Sequence, residues 1–338
     1  MSHDPGVAES AQRADALASS ALARLSLGSA QVRIGTASWT DPTLLVPGVF
    51  YPAGVSTPEA RLKYYASRFS LVEVDSSYYA LPARRTAELW LERTPAPFVF
   101  NAKAFAWMTG HATETQRLPR TLREALPGDV ATRSRLYPRD VPPEVRDEAW
   151  RLFVDALRPL HDAGKLGTVL LQYPPWVRPA AHSARMFARA RQRLADFPIA
   201  VEFRHGDWLA PAQRESTLGM LREQDMTYVI VDQPQGLPTS VPPEIAVTSS
   251  RLAVLRMHGR RMDTWEKPGA TVLEKFRYLY DESELQGWVP KVIELAGEAE
   301  QVHVVFNNCY GNYGTTNALE MANLMAGYGR GGLAASIQ

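Results

Sequence analysis

The chain has 338 residues, of which 45% are hydrophobic and 22% charged, enough to bury a sizeable core as one domain. Its 37 lysines and arginines nearly cancel 36 aspartates and glutamates, so no overall field would hold it on nucleic acid or an anionic membrane. A single cysteine, Cys309, excludes an intrachain disulfide framework and any multi-cysteine zinc site, and it fits the reducing cytoplasm, the expected location. No apolar run approaches the roughly 18 residues of a membrane span. Residues 1–30 are alanine-rich and polar, without the pattern of a signal peptide, and read as a flexible or weakly helical tail.

From there one pattern repeats. Short β-branched or apolar runs fall at Val32 to Trp39, Leu71 to Tyr78, Phe98 to Phe105, Leu166 to Pro174, Ile199 to His205, Thr227 to Asp232, Leu252 to Gly259 and Gln301 to Asn308. Helical spacing fills most intervals, at Pro58 to Phe69, Arg84 to Arg93, Asp147 to Ala163, Ala180 to Ala195, Pro211 to Gln224, Glu282 to Ala299 and Thr315 to Met325. Strand followed by helix predicts parallel strands with right-handed crossovers. Eight such strands predict an α/β fold, a TIM-type (β/α)8 barrel spanning residues 31–330 as a single domain.

Long loops are expected after strands three, six and seven. Ala112 to Arg146 reads as a solvated loop or small helical excursion, with a lid as the sharper alternative. Gln233 to Ser250 is rich in proline and turn residues and reads as a long loop. Arg260 to Asp281 carries Trp265, Tyr278 and Tyr280, and suits either a cover over the barrel mouth or ordinary packing.

Strand parity points to a site. Glu73, Asp75 and Ser77 alternate with Val72 and Val74, and Asn101 and Lys103 alternate with Phe100 and Ala102. Glu202 shares a face with Arg204 and Arg256 with His258, while Gln172, Asp232 and Asn307 stand near strand ends. Unpaired charges cannot face a dry helix layer, so these groups are expected to point inward near the C-terminal mouth, where barrel enzymes place their chemistry. Some will pair structurally, Glu202 with Arg256 for example.

The stretches Ile34-Gly35-Thr36-Ala37-Ser38-Trp39, Phe50-Tyr51-Pro52, Glu73-Val74-Asp75-Ser76-Ser77-Tyr78-Tyr79, Lys103-Ala104, Gln172-Tyr173-Pro174-Pro175, Val201-Glu202-Phe203-Arg204, Arg256-Met257-His258-Gly259 and Phe306-Asn307-Asn308 together resemble the YecE-like family, domain of unknown function 72. The resemblance runs in order from about residue 32 to 326 and implies a TIM-type barrel. It departs at Ala37, where a serine or small polar residue is expected, and in the extended Ala112 to Arg146 segment. It implies no catalytic role for any residue.

Chemistry is therefore read from side chains. The leading expectation is an enzyme, hydrolase- or isomerase-like, acting by acid–base chemistry on a small polar substrate, phosphorylated or carbohydrate-like. Glu73, Glu202 and His258 are its catalytic candidates, and Trp39, Lys103, Gln172, Arg204, Asp232, Arg256, Asn307 and Asn308 its binding candidates. The loop Asn308 to Asn317, entering the last helix, is a candidate phosphate site, or simply a capped turn. No organic cofactor is expected. One alternative is a metal-dependent phosphodiester hydrolase of the barrel endonuclease type, with Glu73, Glu202, Asp232 and His258 around a divalent ion; Arg204 and Arg256 oppose it. Another is a non-catalytic module for nucleic acid or protein, using Trp39, Tyr78, Tyr79, Trp107 and Trp208 to stack bases, which the near-zero net charge disfavours. A small polar or anionic ligand is the expected partner, no membrane is expected, and oligomeric state is not legible.

Overall fold

The computed structural model describes residues 4–17 and 25–335. Eight parallel strands close into a barrel: β1 (Ala30–Thr36), β2 (Leu71–Val74), β3 (Val99–Lys103), β4 (Leu166–Gln172), β5 (Ile199–Glu202), β6 (Thr227–Asp232), β7 (Leu252–Met257) and β8 (Gln301–Phe306). Each pairs with its sequence neighbours, and β8 returns to β1, so no edge is left open. The fold is a (β/α)8 barrel. A short strand, Leu25–Leu27, adds antiparallel to β1.

The principal helices are α1 (Pro5–Asp15), α2 (Pro58–Ala66), α3 (Arg84–Glu92), α4 (Pro143–Asp162), α5 (Ala181–Arg193), α6 (Arg214–Glu223), α7 (Val289–Glu298) and α8 (Tyr313–Ala335). Local chemistry sets their starts. In α2, Pro58 supplies a fixed φ in the first turn while the Thr57 hydroxyl accepts from the Ala60 amide. In α4, Phe153, Leu157 and Leu160 recur at helical spacing and are fully buried in the core. No helix follows β6, where residues 233–251 run as irregular chain.

The segment after β3 holds short helices at Arg120–Glu124 and Gly128–Ala131 and a two-stranded pairing of Thr113–Glu114 with Arg135–Leu136. The segment after β7 folds over the mouth with short helices at Met262–Trp265 and Val272–Lys275. The expected helix from Glu282 to Ala299 is divided, Glu282–Gln286 and then α7, where Pro290 has no N–H to continue the preceding helix; Trp288, between the two, donates its indole N–H to Asp232.

Most strands end two to four residues before the apolar pattern does. Past Val74 the chain turns helical at Ser76–Tyr79, so Asp75 and Ser77 do not continue the β2 face; the Ser77 hydroxyl lies within 2.7 Å of Val74 O and 2.6 Å of Lys103 O instead. Part of the segment expected as a flexible or weakly helical tail is helical. Helix α1 docks on α8 through Ser10 and Thr316 hydroxyls 2.8 Å apart and an Arg13–Glu320 pair at 2.7 Å. Residues 1–3 and 18–24 of that segment lie outside the described residues.

The seam between β1 and β2 has two registered pairs, Gly35 with Leu71 and Thr36 with Val72. The Tyr65 hydroxyl bridges it, accepting from the Thr36 amide at 2.9 Å and contacting Leu71 O at 3.2 Å. A Cβ on Gly35 would stand 1.8 Å from Leu71 O, so the seam closes only around glycine. Gly35→Ala should therefore destabilise by about 3 kcal/mol or more in urea unfolding, an unchanged midpoint being the contrary result.

Candidate active site at the barrel mouth

Near the C-terminal ends of the strands the interior carries charge. Arg256, on β7, is fully buried; it donates through Nη2 to Glu73 on β2 at 2.6 Å and through Nη1 to Glu202 on β5. Glu202, also fully buried, accepts through Oε1 from Gln172 Nε2 at 2.8 Å and from His258 Nε2 at 3.2 Å, and lies 2.6 Å from Arg204 Nε. Asn307 Nδ2, 2.9 Å from His258 Nδ1, donates to that nitrogen and leaves the proton on Nε2, the atom facing Glu202. Four strands thus converge on one carboxylate and its guanidinium, and Asn307, just past β8, joins through His258.

The two glutamates differ electrostatically. Burial works against ionisation of Glu202, but Arg204, Arg256 and His258 around it outweigh that and hold its carboxyl well below the usual range. Burial also dominates at Glu73, and with Asp75 nearby it raises that carboxyl despite Arg256. His258 is pushed down to about 3 by burial and Arg204, so it is a neutral hydrogen-bonding group at neutral pH.

Above this tier two cavities adjoin. The larger, about 460 Å³, is lined by Ser38, Asp75, Tyr78, Lys103, Arg204 and Asn307 among others. The smaller, about 280 Å³, is lined by His111, Pro174, Gln233, Trp265 and Phe276, and shares Gln172, Arg204 and Phe276 with the first by the two linings. Lys103 Nζ lies 2.9 Å from Asp75 Oδ1 and 4.7 Å over the Tyr78 ring. Arg204 is clamped from two sides, through Nε by Glu202 and by the Trp265 ring 5.7 Å from Cζ. Among the described residues its two terminal amino groups have no protein partner. Ser38, which lines the larger cavity, has φ +130°, a conformation L residues avoid.

Of the residues singled out in the sequence, Lys103, Gln172, Arg204 and Asn307 line these cavities. Glu73, Glu202, Arg256 and His258 form the tier beneath and do not reach the cavity walls. Three others lie elsewhere. Trp39 packs in the core against Trp90 and Phe100, at 5.7 and 6.5 Å. Asp232 is taken by Arg260, at 2.6–3.2 Å, and by Trp288. Asn308 Nδ2 donates to Tyr278 O and Asn317 Oδ1, both at 2.8 Å, tying the loop to α8.

Of the four residues of the metal alternative, Asp232 is paired with Arg260 and Trp288, and among the described residues no group of three His, Cys, Asp or Glu side chains stands in ligating arrangement. The loop Asn308 to Asn317, the candidate phosphate site, lies against other parts of the chain. Helix α1 covers it, with Val7 packed on Gly311, and the Gly311 amide already donates to Thr43 Oγ1 at 2.8 Å. Sequence reasoning passed over Gln233, His111, Phe276 and Ser38. Ser38 lay within a quoted motif, but the other three sit in loops whose course no periodicity reveals.

A (β/α)8 barrel with a polar pocket at its C-terminal mouth is thus the class of protein the fold and site define. The family model described as protein of unknown function DUF72 matches residues 33–335, and the chain belongs to that family. It is 30% identical over 297 residues to the UPF0759 protein YunF of Bacillus subtilis, covering 87% of this chain and 94% of that one. Crystal structures of DUF72 family proteins from Thermotoga maritima (28% identity, TM-score 0.68, covering 87% and 98% of the two chains) and Enterococcus faecalis (25%, 0.70, 87% and 95%) share the fold. Among the described residues no helix is long and apolar enough to cross a membrane.

The tier makes a paired prediction. Because Glu202 is held below its ordinary range, the stability it contributes is present above about pH 4.5 and is lost as pH falls through its folded value. Glu73 is raised, so its contribution has the opposite sign, full at low pH and lost as pH rises through its folded value. Glu202→Gln should cost about 3–5 kcal/mol at pH 7. Glu73→Gln should cost less, since the charge it removes is the one that burial and Asp75 disfavour. Equal losses in denaturant melts would contradict the asymmetry.

Proposed function

We propose that this protein is an enzyme that binds a small polar, anionic substrate in the larger mouth cavity and acts on it by acid–base chemistry. The observation that carries the reading is Arg204. Its Nε is fixed by Glu202 and its plane by Trp265, while both terminal amino groups are left for a ligand. A planar fork held this way suits the two oxygens of a phosphate or carboxylate. Lys103 lines the same cavity as a second cation.

Glu202, Arg256 and Glu73 then serve as positioning residues beneath the floor. Glu202 meets no ligand; it orients Arg204 and Gln172, which do. The acidic group with access to substrate is Asp75, a quarter exposed and paired with Lys103. Cys309 also lines the cavity, but burial, followed by Asp41 and Asp75, pushes its thiol well up and makes it a poor nucleophile.

Calorimetric titration with inorganic phosphate and ribose 5-phosphate tests the anion site. Arg204→Gln should weaken binding by about 10- to 100-fold, roughly 1.5–3 kcal/mol for a charge-assisted hydrogen-bond pair. Arg204→Lys should recover only part, because an ammonium cannot use both the Nε clamp and the fork. Wild-type affinity in both variants would refute the assignment.

A further inference from the structure

The smaller cavity has a composition unlike the larger. Its walls are Trp265, Phe276, Tyr173, Pro174 and Pro175, with the neutral imidazole of His111, which burial and Lys103 push down to about 4. Trp176 stands at its rim, 61% exposed, with its ring 5.6 Å from His111. An exposed tryptophan beside an aromatic cleft suits the face of a ring.

Gln233 supplies the polar edge. It is 2% exposed and lines this cavity, yet neither its amide nitrogen nor its amide oxygen has a hydrogen-bond partner among the described residues. The backbone around it is satisfied: Gln235 Nε2 donates to the Gln233 carbonyl at 3.0 Å. The free carboxamide is therefore not needed to hold the loop. A buried amide left without partners is costly, and a ligand that completes it removes the cost.

A carboxamide offers one donor and one acceptor side by side in a plane. Its complement is a planar ring edge bearing an adjacent acceptor and donor, the arrangement through which glutamine pairs bidentately with adenine. The two cavities share Arg204, Gln172 and Phe276, so a ring in the smaller one and an anion on the Arg204 fork can belong to one molecule. We infer that the smaller cavity is a nucleobase subsite and that the ligand of the mouth is a nucleoside phosphate, its base against Gln233 and its phosphate on Arg204. This rests on the anion reading of the larger cavity for the phosphate half, but the base half stands on Gln233 alone.

The experiment is calorimetric titration of wild type and Gln233→Leu with the four ribonucleoside 5′-monophosphates, their nucleosides and ribose 5-phosphate, alongside thermal melts. At least one nucleotide should bind wild type about tenfold or more tighter than ribose 5-phosphate. Gln233→Leu should erase that preference, leave ribose 5-phosphate within about twofold and melt no lower than wild type, since the lost amide makes no internal bond. If leucine lowers the melting temperature, Gln233→Met gives the same reading with an unbranched chain. Ribose 5-phosphate binding as tightly as all four nucleotides, or a preference that survives in a well-folded Gln233 variant, would overturn the nucleobase subsite and leave the anion site standing. Nucleosides that bind in a Gln233-dependent way without gain from the phosphate would overturn the anion site instead. Silence from every compound would overturn both.

Discussion

A guanidinium buried at the axis of a barrel needs counter-charge, and here two carboxylates from opposite sides supply it. Arg256 reaches Glu73 on one side and Glu202 on the other, and all three are sealed from water. Removing one partner would strand a charge in a medium of low dielectric, so the three side chains fix one another's rotamers and, through them, the spacing of β2, β5 and β7. An aliphatic filling would hold the strands as well; replacing buried ion clusters by apolar groups is often neutral or stabilising. What it would not do is aim Arg204.

That aim is how the tier becomes a site. Glu202 spends one oxygen on three donors, Gln172, Arg204 and His258, and the other on Arg256. Gln172 and Arg204 carry the ordering upward into the cavities, and Asn307 carries it through His258 into β8. The groups that meet solvent are therefore held by groups that do not, the arrangement in which a polar contact is prepaid by the fold and little reorganisation is left for the ligand. The segment after β7 completes the mouth from above, with Trp265 against Arg204 and Phe276 between the cavities.

Much of this was legible in the residues. The run Thr227 to Asp232 is a strand with the bounds its pattern gives, and the inward parity of Glu202 and Arg256 is what brings them together. What the pattern could not show was where strands stop. Asp75 to Tyr79 keeps an alternation that looks extended, yet the chain turns helical there because Ser77 finds two carbonyls, one of them on β3, 26 residues on. Nor could it show partner choice among distant charges: Asp232 is taken by Arg260 and Trp288, and Trp39 by aromatic neighbours from α3 and β3. Gln233 lies at the start of a proline-rich segment with no period at all, and its significance appears only when its amide is seen buried and unpaired.

One buried arginine serves two unlike carboxylates. Carbon-13 shift titration of glutamate-labelled protein, with the Glu73→Gln and Glu202→Gln proteins assigning the two signals, tests it most directly. The Glu202 carboxyl should stay ionised to pH values well below the usual glutamate range, while the Glu73 carboxyl should take up its proton above it. Two carboxyls titrating together near the ordinary value would contradict it, and the orientation of Arg204 would then need another cause.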